Sequence, residues 1–399
     1  MDINIFRKVS FTQRPSCMVC GKRSGAAMLE MKNFPMTEIY TREVCKQKLG
    51  VLDQGFFVCR HCGHGQLGRV IDVKLQYGNY HFRSGQSVTG QQSAKFFIDY
   101  LDKFIADKKL DLVVEIGCND LYLLKLISKR AKKLVGIDPI LKGREKELSE
   151  NNVIAQGGYL EDVSLQGSPD LFICKDTLEH VANPKDFLKK VIDQGHSETL
   201  FAFQFPLLDT LLDAGRFDQI FHQHLNYFSM HSIKVVLEDL GCELVDFTIN
   251  HNLWGSIIII FRKAAGRKKT KAFSLITRKD VMSRYKVFRM NMEVTKQRLS
   301  FLKGKNVYGY GAALMLPVLD YHLDGAIGRL TCIMDDDINK KGLRYINLDV
   351  DIKPMNEVHD LERSAVILTA IASLYNVRAM LSKLSQHGPR QIIVPLNTL

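Results

Sequence analysis

The chain has 399 residues, 46% hydrophobic and 25% charged, the composition of a soluble globular protein long enough for two or three domains. It contains no run of about eighteen apolar residues, which excludes a spanning helix, so no membrane partner is expected. Its net charge of +12 favours anionic partners, but the densest basic runs, 129–133 and 267–271, are short and lack interleaved aromatics, so no nucleic-acid partner is expected either.

Residues 1–9 carry neither the apolar stretch nor the small-residue cleavage site of a secretory signal, so a cytoplasmic location is expected, where thiols stay reduced. Four of the nine cysteines then stand at metal-ligand spacing: Cys17 and Cys20, Cys59 and Cys62, each pair followed by glycine. Two such hairpins close a tetrahedron of thiolates, and with all four positions filled by sulfur no place remains for substrate. A structural zinc is the expectation, with four unmetallated core cysteines as the alternative. The other five read as small buried side chains, with Cys45 alternatively a thiolate of the metal site.

Residues 1–85 are turn-rich without long helical periodicity, and 91–108 repeat apolar positions as an amphipathic helix does. Apolar runs at 110–117, 134–138, 153–155, 171–175 and 200–205 then alternate with helical patterns at 122–130 and 184–194, predicting a parallel sheet covered by helices. A helix at 230–240 leads to two strands, 244–249 and 256–261, whose short connection forces them antiparallel. A doubly wound sheet with this reversal resembles the class I methyltransferases that use S-adenosylmethionine. After a basic helical stretch, strands at 307–311, 330–334, 365–369 and 391–395 with helices at 316–322 and 375–384 make a second, smaller Rossmann-like α/β unit. The expected division is 1–85 zinc-binding module, 86–265 cofactor domain, 266–303 connecting helix and 304–399 C-terminal unit.

The first strand ends in Glu115-Ile-Gly117-Cys-Asn119-Asp120, where backbone NH groups and a helix start hold a cofactor. The dinucleotide pattern Gly-x-Gly-x-x-Gly is missing, so a pyrophosphate finds no bare backbone there. Asp138 follows the second strand, placed either to accept ribose hydroxyls or only to cap its loop, and Asp176 lies on the same rim. In the second unit, Gly309-x-Gly311-Ala-Ala313 with Asp335 invites a nicotinamide reading, against which stand the missing third glycine and the crowding alanines; a substrate-side unit is favoured.

Between the fifth strand and the next helix lie His222, Gln223 and His224. Two histidines at i, i+2 in a loop are metal ligands, a general base with its helper, or polar surface residues; spacing leaves all three open. Here the chain resembles the sugar C-methyltransferases of deoxysugar biosynthesis. The likeness rests on the paired Cys-x-x-Cys-Gly, Tyr77-x-x-Tyr80-x-Phe82-x-Ser84-Gly85, Glu115-Ile-Gly-Cys-Asn-Asp120, Leu178-x-His180, Phe217-Asp218, Tyr227-Phe-Ser229 and Tyr310-Gly-Ala-Ala313. It implies methyl transfer from S-adenosylmethionine to C3 of a nucleoside-diphosphate 4-keto-6-deoxysugar.

By that resemblance His224 is the base, Gln223 its neighbour, and His180 and Tyr80 donate to the developing enolate oxygen. Glu115, Gly117, Asn119, Asp120, Asp138 and Asp176 hold the methyl donor. Phe221 and Gln223 replace the usual tyrosine and glutamate, Leu121 replaces a glycine, and residues 252–256 replace a His-Gly-Gly-Ser run. Losing a carboxylate beside His224 weakens it as a base, so Gln223→Glu is expected to leave activity unchanged or higher. The alternatives are an NAD(P)-dependent nucleotide-sugar oxidoreductase built on Gly309 and Gly311, and a noncatalytic sugar-nucleotide-binding relative.

Overall fold

The structure, a computed structural model, describes residues 3–45, 47–72, 75, 82–253, 255–266, 272–302 and 304–396. Strands β1 (Leu29–Pro35), β2 (Val51–Val58) and β3 (Gly65–Leu67) form an antiparallel sheet; every second residue is buried from Gln54 to Val58 in β2 and from Leu29 to Met31 in β1, where a register shift after Met31 breaks the alternation. Its fourth strand, Asn226–Tyr227, comes from the histidine loop and pairs with β3. The two cysteine hairpins border this sheet, so it binds the metal-spaced thiols and the histidines into one unit.

Helix α1 (Val88–Ile105) is capped by the Ser87 side chain, which accepts from Gly90 N, and it buries Phe97, Leu101 and Ile105 against the central sheet. That sheet holds β4 (Leu110–Ile116), β5 (Ala131–Ile137), β6 (Val153–Gln156), β7 (Leu171–Lys175), β8 (Leu200–Pro206), β9 (Cys242–Asn250) and β10 (Ser256–Lys263). The strand order is β9-β10-β8-β7-β4-β5-β6, all parallel except β10, which runs antiparallel to both its neighbours. Every residue of β8 is buried, as a central strand covered on both faces requires. Helices α2 (Pro184–Gln194) and α3 (Met230–Asp239) cover one face and α1 the other. This is the class I methyltransferase order, with the expected reversal at its edge. The helix expected over 122–130 is shorter than its periodicity implied: it runs over Tyr122–Leu126, because Leu121 before it and Ile127 after it leave the helical region.

Helix α4 (Arg278–Ser300) starts at a Thr277/Asp280 capping box and buries Val281, Phe288, Met292 and Thr295, one narrow stripe. A five-stranded parallel sheet follows, in the order β13-β12-β11-β14-β15, from β11 (Val307–Tyr310), β12 (Cys332–Met334), β13 (Ile352–Lys353), β14 (Ala365–Leu368) and β15 (Gln391–Ile393), with helices α5 (Leu316–His322) and α6 (Leu374–His387). One continuous apolar core joins this unit, α4, the N-terminal sheet and the histidine loop through Phe34, Phe56, Phe217, Phe221, Phe288 and Leu319. No described helix is long and apolar enough to cross a membrane.

Candidate functional site

Strands β4, β5, β7 and β8 run parallel, so the loops that follow them gather over one edge of the sheet, where open α/β sheets bind ligands. After β4 the chain turns at Gly117, φ +73°, where a Cβ would stand 2.0 Å from Thr177 Oγ1; only glycine fits. Asn119, Leu121 and Asp176 also have positive φ. Leu121 is a fully buried leucine in the left-handed region, at the position where the resembling family carries glycine, so the local backbone keeps a shape its side chain disfavours.

The loop is tied down from several directions. Asp138 accepts from Asn119 N at 2.9 Å and Ile140 N at 3.0 Å, the Asn119 side chain accepts from Ser84 N at 3.2 Å, and Asp120 accepts from Gly85 N at 2.9 Å. Asp176 receives both Lys175 and Gln204, the latter at 2.9 Å. The cofactor residues named from sequence, Glu115, Gly117, Asn119, Asp120, Asp138 and Asp176, thus share this one rim.

Its electrostatics discriminate between ligands. Glu115 is buried, its Oε2 has no hydrogen-bond partner, and burial raises its carboxyl well above the usual range, with Asp138 and Asp120 adding to the push. Burial, joined by the charge of Asp176, does the same to Glu179. The rim gathers five acidic groups around one lysine, Lys175, which suits a ligand carrying a sulfonium and an ammonium better than a pyrophosphate.

Over this rim stand His180, just after β7, and His224. Their rings meet edge to face at 4.9 Å, and Phe221 packs on His224 at 4.1 Å. His180 Nδ1 lies 2.9 Å from the Gln223 carbonyl oxygen, which makes Nδ1 the protonated nitrogen. Burial lowers both imidazole pKa values, that of His224 well below the ordinary range, with His180 adding to it, so both rings are neutral near pH 7. A hydroxyl at Phe221, inside this apolar wall, would need its own partner. Phe221 is 1% exposed.

His222 faces the other way. Its Nε2 donates to the Phe34 carbonyl at 3.0 Å and its Nδ1 accepts from Gln54 at 3.3 Å, so it ties the loop to the N-terminal sheet. The i, i+2 spacing therefore does not make a joint metal pair. Among the described residues, His180 and His224 form a possible ligand group with Glu179 instead.

Sequence reasoning missed two clamps. Arg14, buried, donates to the Leu225 carbonyl at 2.9 Å, to Asn226 at 3.2 Å, and to the carbonyls of Val181 and Ala182, holding both histidine segments together. Arg216 and Asp218, both buried, form a two-pronged ion pair at 2.8 Å that opens the histidine loop. No local pattern marks Arg14, whose partners lie more than 160 residues away, whereas the Arg216–Asp218 pair is local and only its burial was hidden. Tyr80 and Tyr77 fall outside the described residues.

The four thiols Cys17, Cys20, Cys59 and Cys62 lie within 4.8 Å of one another, Cys17 to Cys62 at 3.6 Å and Cys20 to Cys59 at 3.5 Å. A tetrahedral site with metal–sulfur bonds of about 2.3 Å has edges of about 3.8 Å, so the set fits one ion. Gly21 and Gly63 each donate to the carbonyl of the pair's first cysteine at 2.9 Å, both with positive φ, giving two equivalent hairpins.

The second glycine-rich loop has its polar groups in use. Ala312 N donates to Asp335 at 2.6 Å, and the Ala312 and Ala313 carbonyls accept from Lys340 at 3.0 Å and Tyr345 at 2.7 Å. A Cβ on Gly311 would meet Ala370 at 2.3 Å. This packing leaves no cradle for a pyrophosphate and counts against the nicotinamide alternative.

Residues 90–246 match the methyltransferase-domain family. The chain is similar to C-methyltransferase NovU of Streptomyces niveus, 26% identical over 274 residues, which are 64% of this chain and 65% of the relative, so the match spans just under two thirds of that protein. Two solved structures are also similar: the N-methyltransferase NodS of Bradyrhizobium japonicum with S-adenosylhomocysteine (10% identity, 45% of this chain, 90% of that one, TM-score 0.35), and the magnesium protoporphyrin IX methyltransferase of Synechocystis (17%, 47% and 91%, TM-score 0.36). The fold assignment rests on the strand order above and not on these distant likenesses.

Proposed function

We propose that this chain, whose residues 90–246 match the methyltransferase-domain family, is an S-adenosylmethionine-dependent C-methyltransferase acting at C3 of a nucleoside-diphosphate 4-keto-6-deoxysugar. One observation carries the reading: a neutral imidazole, His224, braced by Phe221 and His180, stands over an acidic rim suited to a cationic donor. The likeness to a C-methyltransferase supports carbon as the acceptor.

The chemistry asks little beyond placement. A hydrogen next to a ketone is acidic because the electron pair left behind spreads onto the oxygen, and neutral His224 takes that proton. Its lowered pKa keeps the accepting form fully populated at neutral pH while reducing its strength. His180, a neutral ring whose proton lies on Nδ1 against the Gln223 backbone carbonyl, has no Nε2 proton to donate, so the expected donor role passes to Tyr80 and His180 is assigned to bracing His224. S-adenosylmethionine, when bound, supplies an electrophilic methyl to the carbanion.

Glu115, Gly117, Asn119, Asp120, Asp138 and Asp176 are the residues assigned to hold it, Asp138 at the ribose. Gln223 is assigned to shaping the base's surroundings. Cys17, Cys20, Cys59 and Cys62 hold a zinc ion whose role is structural. The division of labour follows 1–85 for the zinc module, 86–265 for the donor, 266–303 as connecting helix and 304–399 for the sugar nucleotide.

His224→Ala tests this. Turnover on keto-deoxysugar nucleotides should fall by at least about a hundredfold while donor affinity by titration calorimetry stays within about threefold. Unchanged turnover would remove His224 from the reaction.

A further inference from the structure

Glu179 and His180 lie in the short turn after β7, and His224 comes from the histidine loop after β8. One ligand-type atom from each, a carboxylate oxygen and two ring nitrogens, lies within 4.8 Å of the other two. Glu179 Oε1 stands 3.9 Å from His180 Nε2, and the two imidazoles meet edge to face at 4.9 Å. The His180 proton sits on Nδ1 against the Gln223 backbone carbonyl, so its Nε2 presents a lone pair to the Glu179 carboxyl. Glu179 is 1% exposed, and its other oxygen, Oε2, is buried with no hydrogen-bond partner among the described residues. Leaving a buried acceptor unmet is costly, and a cation meets it.

The donor set selects the ion. Two imidazoles and one carboxylate suit a divalent first-row transition cation such as zinc or cobalt, and not magnesium or calcium, which take oxygen. Bonds of about 2.1 Å place ligand atoms about 3.0–3.4 Å apart, so the gap between Glu179 and His180 would close by about half an ångström around the ion. Asp176 adds negative charge beside Glu179, and its ion-pair partner Lys175 offsets part of it. The His180 side chain keeps 27% of its surface exposed, which gives an ion a way in. Unlike the four thiols, this set fills only three positions and leaves at least one for water.

We propose that Glu179, His180 and His224 form a second metal site, which takes a divalent transition cation and, when filled, shuts off methyl transfer. The lone pair that His224 gives to the metal is the one that receives the substrate's proton, so the ring serves one or the other. The binding stands on the geometry, and the inhibition rests on the methyl-transfer reading.

The experiment titrates cobalt(II) into protein whose thiol site already holds zinc. One cobalt per chain should bind, with the visible absorption of nitrogen and oxygen ligation and no thiolate charge-transfer band. Glu179→Gln and His180→Ala should each weaken it by at least about tenfold. In the wild type, where folding of a variant is not in question, zinc added beyond the first equivalent should move the ring-nitrogen NMR signals of His180 and His224. Those of His222, already bonded to Phe34 and Gln54, should stay. Turnover should fall by at least about tenfold at saturating zinc and return on dialysis. No cobalt beyond the thiol site, a thiolate band, unmoved ring signals in the wild type, or full turnover with the site filled would overturn the proposal. If the wild type turns over no keto-sugar, the functional reading has failed, and the cobalt spectrum and the ring signals decide the metal site by themselves.

Discussion

His222 and His224 stand two positions apart in one loop yet have opposite surroundings, and those surroundings decide their roles. His222 sits in a fully protein-bonded niche, where burial lowers its pKa to about 4. Its unfolded value is about 6.5, so the unfolded chain binds the extra proton first. The stability His222 contributes is present above pH 6.5 and is lost as pH falls toward 4. Replacement by glutamine removes that linkage. The stability gap between wild type and His222→Gln, measured by urea unfolding, should therefore shrink by about 2 kcal/mol between pH 7 and pH 5. A constant gap would mean that His222 is not held neutral. Spacing singled out both histidines but could not separate them, because the Phe34 carbonyl that claims His222 lies 188 positions away. Asp138 and Gly117, by contrast, were readable because strand, turn and carboxylate follow one another locally.

At the level of elements, strands β4 to β8 declare themselves by apolar runs alternating with helices, and β10 by its short connection to β9. Strands β1 and β2 did not. They are antiparallel and partly exposed, in a region interrupted by two cysteine hairpins, so their periodicity is short and broken by turns. Nor could the sequence indicate that the sheet borrows Asn226–Tyr227 from the histidine loop. That borrowed strand links the sheet beside the four thiols to the histidine loop. Gly63, in the second hairpin, lies against Ser229, the cap of α3, with room for a Cβ only at 3.2 Å. Replacing Cys62 by serine should reduce bound metal from about one per chain to none and lower the melting temperature. Turnover should then fall by at least about tenfold while donor affinity, set by the central sheet, changes less than about threefold. Full activity in a metal-free variant would show that the hairpins and the histidine loop are not coupled.

Across the whole molecule, the two parallel sheets share a device. In each, a carboxylate after the second strand of the unit, Asp138 or Asp335, accepts a backbone NH from the loop after the first. What separates them is charge and packing. The loop of the second unit is closed over by Lys340, Tyr345 and Ala370, whereas the rim of the central sheet gathers Glu115, Asp120, Asp138, Asp176 and Glu179 with Lys175 in their midst. Raised carboxyl pKa values at that rim mean that a bound cation pulls protons off, so affinity for a cationic ligand must climb as pH rises. Titration calorimetry with S-adenosylmethionine and with NAD at about pH 6 and pH 8 measures this directly. The predicted result is binding of S-adenosylmethionine alone, tighter by at least about threefold at the higher pH and accompanied by proton release. Binding of NAD in its place, or an affinity for S-adenosylmethionine that weakens as pH rises, would contradict it.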